Sequence, residues 1–265
     1  MNIFTKEYWK AACGELRSLR KLAFAALICA LTVVMDGLVK VPLFPGQEVK
    51  FTFFIIALGC AVYGPVAGMV IATIVDILSF AIFPPGGIYF PGYLFTELLV
   101  VVFYSAFLYR RQISVWKIFG AKVCTNFLAH VAFNTLWASI LYDKGYLFYL
   151  STSLIKNALL LPAEVLLLAI FFKAVLPIFS RMKLLPEHSE ETLDKLSFTD
   201  NVFPVMGFSA LIGGVAGMYY GVVSDGGALF KWLGLGLMVV GVALLITGVI
   251  FQHKRKEQPE ETTEE

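Results

Sequence analysis

Residues 84–97 read PPGGIYFPGYLFTE, a proline- and glycine-rich stretch followed by aromatic rings and a carboxylate one turn inside a new apolar run. Pro84-Pro85-Gly86-Gly87 cannot continue a helix, because proline lacks the backbone donor and glycine loses the most conformational freedom on ordering. Tyr89, Phe90 and Tyr93 then offer flat amphipathic rings of the kind that settle at a membrane surface. The stretch therefore reads as a surface loop between two membrane-crossing helices, with Glu97 buried below it. Loop, rings and buried charge together predict the mouth of a binding site.

The bulk composition supports the membrane reading. Of 265 residues, 58% are hydrophobic and 15% charged, with mean hydropathy +0.79. Soluble domains carry about 45–50% apolar and about 25% charged residues. Apolar runs of this length predict an all-α membrane protein, because helices satisfy their own backbone in lipid. No cleavable leader is expected, since the first apolar run begins only near Leu22 and lacks a small-residue site after it. The net charge of +2 does not point to nucleic acid, because the basic residues flank apolar segments. Cys13, Cys29, Cys60 and Cys124 have no metal-binding spacing and are read as packing residues.

Eight apolar segments are expected, near 22–41, 50–63, 65–83, 91–109, 115–141, 150–179, 202–223 and 231–251. Gly64-Pro65 marks a tight turn between the second and third. Residues 1–20 mix Tyr8 and Trp9 with Lys6, Lys10 and Arg17, which predicts a short interfacial helix. A polar linker at 181–201 separates a terminal transmembrane hairpin, 202–251, from the first six spans. Ser209, Gly213, Gly217 and Gly221 form a small-residue ladder there, which predicts close helix packing. Residues 252–265 read as a disordered acidic tail.

Basic residues gather before span one and after spans four, six and eight, so the positive-inside rule places both termini in the cytosol. With that orientation, many intramembrane polar residues share one depth in the outer half. They include Asp36 and Lys40 on span one, Glu97 on span four, Asn134 and Trp137 on span five, and Lys156 and Asn157 on span six. Asp76 lies nearby on span three. Ionisable groups in hydrocarbon cost several kcal/mol, roughly, and usually face a cavity or a partner. An outward-facing polar pocket accounts for the shared depth. Mutual pairing of Asp36, Glu97 and Lys156, or snorkelling, accounts for any one of them. His130 reads as a hydrogen-bonded packing residue, and Glu164, after Pro162, as a structural residue at a kink.

Three stretches carry a family resemblance. They are Tyr63-Gly64-Pro65 with Gly68 and Val75-Asp76-Ile77-Leu78, then Gly86 to Tyr93, and then Asn134 to Ser139 with Leu154 to Asn157 and Leu161 to Glu164. In order and spacing, residues 20–180 resemble the substrate-binding S components of energy-coupling factor (ECF) vitamin transporters, and within them the folate family. The resemblance implies a six-helix substrate-binding domain at 21–180 that captures a vitamin from outside the cell membrane of a prokaryote. It implies a transmembrane coupling protein and two ATP-binding subunits as partners, so the chain needs no cofactor, metal or ATPase site of its own. Ala26 and Ala30, at i and i+4 on span one, resemble the family's contact with the coupling protein.

The implied ligand is folate or a related small heterocycle, bound by Asp36, Lys40, Tyr89, Phe90, Tyr93, Glu97, Asn134, Trp137, Lys156 and Asn157. Folate members tend to have arginine near the positions of Asp36 and Ser153. Their replacement here leaves Lys40 and Lys156 as the expected cations, and opens the pocket to neutral or cationic compounds. The alternative function is a stand-alone ion-coupled secondary transporter, with Asp36, Asp76 and Glu97 on the ion path. An intramembrane enzyme built on His130, Asn134 and Glu164 lacks any catalytic motif, and the chain is not expected to be an enzyme.

Overall fold

The protein is described by a computed structural model that covers residues 5–15, 18–44, 47–84, 88–142, 145–182, 184, 198–223 and 228–257. The helices are α1 (Lys6–Cys13), α2 (Leu19–Leu38), α3 (Phe53–Ile82), α4 (Pro91–Leu108), α5 (Val115–Val123), α6 (Thr135–Tyr142), α7 (Tyr146–Arg181), α8 (Phe198–Val223) and α9 (Ala228–Glu257). A π-helical stretch, Cys124–Asn134, joins α5 to α6. The all-helical expectation meets one exception. Strands β1 (Lys40–Phe44) and β2 (Gln47–Lys50) pair antiparallel between α2 and α3, with Lys40 opposite Lys50.

Among the described residues, six helices are long and apolar enough to cross a membrane: α2, α3, α4, and the apolar parts of α7, α8 and α9. The expected spans two and three form the single assigned helix α3, which is broken at Gly64 (φ 71°, ψ −168°). That left-handed φ is open to glycine at little steric cost. The chain reverses there. In a straight helix, residues eight apart would be separated by about 12 Å. A Cβ at Gly68 would instead lie 3.8 Å from Cys60 Sγ. The segment expected as the fifth span, 115–141, folds as α5, the π-helical stretch and α6 in series.

Most of the core lies between α2, both halves of α3, α4, α5 and α7, with Leu58, Tyr63, Tyr104, Ile118, Leu168 and Phe172 buried. At one end of the bundle Glu15 gathers donors. Tyr109 Oη donates to it at 2.7 Å, Arg110 Nη2 at 3.3 Å, and Lys21 pairs with it as well. Burial is the main cause that pushes the Tyr8 phenol of α1 above its usual value, and its hydroxyl donates to the Ser105 carbonyl at 3.0 Å. The short N-terminal helix is thus docked on the bundle.

Helices α8 and α9 pack antiparallel with their backbones in contact. A Cβ at Gly234 would lie 2.7 Å from the Gly214 carbonyl, and one at Gly241 would lie 2.9 Å from that of Gly207. The pair docks through α8: a Cβ at Gly213 would lie 2.8 Å from the Ala158 carbonyl of α7. Phe208 meets Trp116 of α5 with ring centroids 5.9 Å apart. On the far side α9 shows Leu229, Trp232, Val239, Ile246 and Val249, an apolar surface suited to lipid. Helix α9 continues to Glu257, so residues 252–257 are helical where a disordered tail was expected. Most of the expected linker and the rest of the tail lie outside the described residues.

Candidate functional site

A cavity of about 120 Å³ opens at the end of the bundle opposite Glu15. Its wall is built from three helices and the hairpin. Helix α2 contributes Ile28, Thr32 and Asp36, one turn apart on one face. The second half of α3 contributes Gly68, Ile71, Ala72, Val75, Asp76 and Ser79, again the i, i+3, i+4 spacing of a single stripe. The first half turns Ile56, Gly59 and Cys60 to the same space, because the break at Gly64 folds one half back on the other. Glu97 and Val101 come from α4, and Lys50 from the end of β2. The deep part is apolar and the charged groups sit around the mouth.

The three carboxylates of this wall differ in what they meet. Lys50 Nζ lies 2.7 Å from Asp36 Oδ1. Tyr89 Oη donates to Asp76 Oδ2 at 2.6 Å. That hydrogen bond is the main reason the Tyr89 phenol is pushed up to about 12. Glu97 forms no hydrogen bond or ion pair among the described residues, although Lys50 is near enough to act on it. Ser79 Oγ is buried and likewise has no hydrogen-bond partner.

Beside the cavity lies an aromatic cluster. Trp137 of α6 donates through Nε1 to Thr96 Oγ1 of α4 at 3.1 Å. Its ring meets Phe90, Phe95 and Phe133 at centroid distances of 5.7, 6.4 and 6.2 Å. Phe90 also meets Tyr93 at 6.1 Å. Gly92 makes this possible, since a Cβ there would stand 2.3 Å from Phe90 and 2.7 Å from Trp137.

Of the residues expected to touch a ligand, Asp36 and Glu97 line the cavity. Tyr89 reaches it through Asp76, and Phe90, Tyr93 and Trp137 form the neighbouring cluster. Asn134 Nδ2 lies 3.2 Å from His130 Nδ1. Asn157 donates to the Ser153 carbonyl at 2.8 Å, on α7, and Lys156 is half-buried beside it. The described cavity wall does not include Asn134, Lys156 or Asn157. The backbone of Lys40 is in β1, and its side chain lies outside what is described. Ala26 and Ala30 are both exposed on α2.

The sequence alone singles out neither Lys50 nor Ser79 for this site. The stripe from Gly68 to Ser79 was the signal for the serine. A second polar group also went unseen. Lys122 Nζ lies 3.0 Å from Glu164 Oε2, and Asn126 Nδ2 donates to the same oxygen at 2.7 Å. Lys122 and Asn126, at i and i+4 in an apolar segment, were the signal for it.

Residues 20–180 match the family described as "ECF transporter, substrate-specific component". The chain belongs to that family. Curated relatives include the folate transporter FolT of Clostridium novyi, 25% identical over 153 residues, covering 58% of this chain and 88% of that protein. The folate transporter FolT of Leuconostoc mesenteroides subsp. mesenteroides is 28% identical over 155 residues, covering 55% of this chain and 80% of that one. Among solved structures, FolT bound with folic acid is similar at a TM-score of 0.51 and 22% identity, over 56% of this chain and 88% of that one. That likeness shows a common fold. The substrate-specific component is thus a multi-pass membrane protein, with α8 and α9 outside the matched residues.

Proposed function

We propose that this protein captures folate or a related small heterocycle from outside the cell and hands it to an ATP-driven partner complex. The observation that carries the reading is the cavity between α2, α3 and α4, lined by Asp36, Lys50, Asp76 and Glu97, in a chain whose curated relatives are folate transporters. An anionic ligand needs a cation, and Lys50 at the cavity mouth is placed to supply one. The apolar floor suits a planar ring, and the aromatic cluster around Trp137 borders the way in.

In this reading the cavity faces outward in the cytoplasmic membrane of a prokaryote, and both termini are cytosolic. The partners are a transmembrane coupling protein and two ATP-binding subunits, which supply the ATP chemistry. The exposed Ala26 and Ala30 of α2 offer a small-residue face on which another helix can approach closely. Residues 21–180 form the substrate-binding domain, and α8–α9 are an added transmembrane hairpin.

Calorimetric titration of the purified full chain with folic acid, other B vitamins and cationic heterocycles tests the ligand. Saturable binding of folic acid or a pterin is expected. Binding of none of them would remove the reading. Uptake by cells with and without the coupling protein and ATP-binding subunits tests delivery; uptake that survives their removal would favour an ion-coupled carrier.

A further inference from the structure

Among the described residues, one ammonium group and three carboxyl groups line the cavity, and two of the three carboxyl groups are already engaged. Asp36 is held by Lys50 at 2.7 Å and Asp76 by the Tyr89 hydroxyl at 2.6 Å. Glu97 is left facing the cavity without a hydrogen bond or ion pair among the described residues.

Ser79 adds an independent sign. A serine or threonine inside a helix commonly turns its hydroxyl back to the carbonyl four residues earlier. Thr32 does so to Ile28 at 2.7 Å, and Thr73 to Met69 at 2.9 Å. Ser79 is 8% exposed, its Oγ is buried, and it makes no such bond. Buried polar groups in folded proteins are nearly always satisfied, so one left without a partner on a residue of a cavity wall marks a place where a partner belongs.

We propose that Glu97 and Ser79 are the specificity-determining pair of this cavity, and that they read adjacent N–H donors on the edge of a planar heterocycle. The assignment rests on the cavity being the ligand site proposed above. A carboxylate accepts two parallel N–H bonds with good geometry, and such charge-assisted pairs are about twice as strong as neutral ones. The 2-amino-4-oxo pyrimidine edge of folic acid presents such a pair, a ring N–H beside an exocyclic amino group. A ligand with an oxygen in place of the amino group would set lone pairs against the carboxylate and leave an acceptor unmatched. Lys50, paired with Asp36 at the mouth, is the described ammonium that can also meet the acidic end of the ligand. The cavity then sorts its two kinds of charge, with Glu97 for the donor edge and Lys50 for the anion.

The test is calorimetric binding of folic acid and of its 2-deamino-2-oxo analogue to the full chain, Glu97→Gln and Ser79→Ala, each with a thermal melt. The wild-type chain is expected to prefer folic acid. Glu97→Gln is expected to weaken folic acid about ten- to a hundredfold, and to bring the ratio between the two ligands close to one. Ser79→Ala is expected to weaken folic acid several-fold without lowering the melting temperature. A Glu97→Gln protein that keeps both affinity and ratio would overturn the assignment while leaving folate as the ligand. If Glu97→Gln does not fold, an unchanged affinity in Ser79→Ala would overturn it instead. A wild-type chain that binds neither compound would overturn the folate reading and this assignment with it.

Discussion

Two polar clusters sit inside this helical bundle, and they are built on opposite principles. In the inner one, Lys122 and Glu164 meet at 3.0 Å, Asn126 adds a hydrogen bond at 2.7 Å, and the Lys122 ammonium lies 4.0 Å from the centre of the Phe53 ring. Its side chains are 4% and 14% exposed, and each charge has its partner. In the outer one, among the described residues, one lysine stands beside three carboxylates and pairs with Asp36, Glu97 lines the cavity without a hydrogen bond or ion pair, and Ser79 Oγ lacks a partner. A closed network holds helices in place. An open one with the same residue types is unfinished until something enters, which is why the ligand is assigned to the outer cluster.

The largest expected effect comes from breaking the closed cluster. Lys122→Met strands the Glu164 carboxylate with Asn126 as its remaining described contact. Removing one partner of a buried ion pair costs about 3–5 kcal/mol. A marked fall in melting temperature is expected. The double variant Lys122→Met/Glu164→Leu is expected to recover most of it, because apolar replacement of the whole pair is often neutral. A single variant that melts like the wild type would show that the inner cluster is as tolerant as the outer one, and the contrast would fail.

How much of this contrast could be read beforehand depends on distance along the chain. Long apolar runs exposed α2, α4, α7, α8 and α9, and Gly64-Pro65 exposed the break in α3, because those features are local. Asp36, Asp76 and Glu97 could be placed at one depth by counting turns. The pairings could not. Asn126 and Glu164 are 38 residues apart and meet across two helices, so an apolar window containing Lys122 gives no hint of its counter-charge. Lys50 could not be singled out because it reaches the cavity through the pairing of two short strands, with Lys50 opposite Lys40. Trp137 is among the residues expected to bind a ligand. A single sequence cannot say which rings surround it, and here Phe90, Phe95 and Phe133 do.

A smaller effect is expected from Tyr89→Phe, which removes the 2.6 Å hydrogen bond to Asp76. A hydrogen bond contributes about 0.5–1.5 kcal/mol net, so the melting temperature of the ligand-free protein should fall modestly. With the phenol pushed up to about 12, the whole range from about pH 6 to about pH 9 lies below its titration, and it stays protonated and donating there. The difference between variant and wild type should therefore be flat across that range. A variant that melts like the wild type throughout that range would mean that Tyr89 does not hold Asp76.

The smallest effect on stability is expected from Lys50→Met, and it separates the clusters most cleanly. Lys50 is 46% exposed and its partner Asp36 22% exposed, so the pair is screened by water. Pairs of that kind contribute about 0–1 kcal/mol. The melt should hardly move, although the substitution deletes an ammonium from an ion pair just as Lys122→Met does. Binding should respond differently. Without Lys50 the cavity wall keeps Asp36, Asp76 and Glu97 with no described ammonium against them, so anionic folic acid should bind more weakly and a cationic heterocycle more tightly. Two calorimetric titrations, one with each probe, read that reversal. A large drop in melting temperature with unchanged selectivity would place Lys50 in the structural class with Lys122, and the outer cluster would lose its claim to be unfinished.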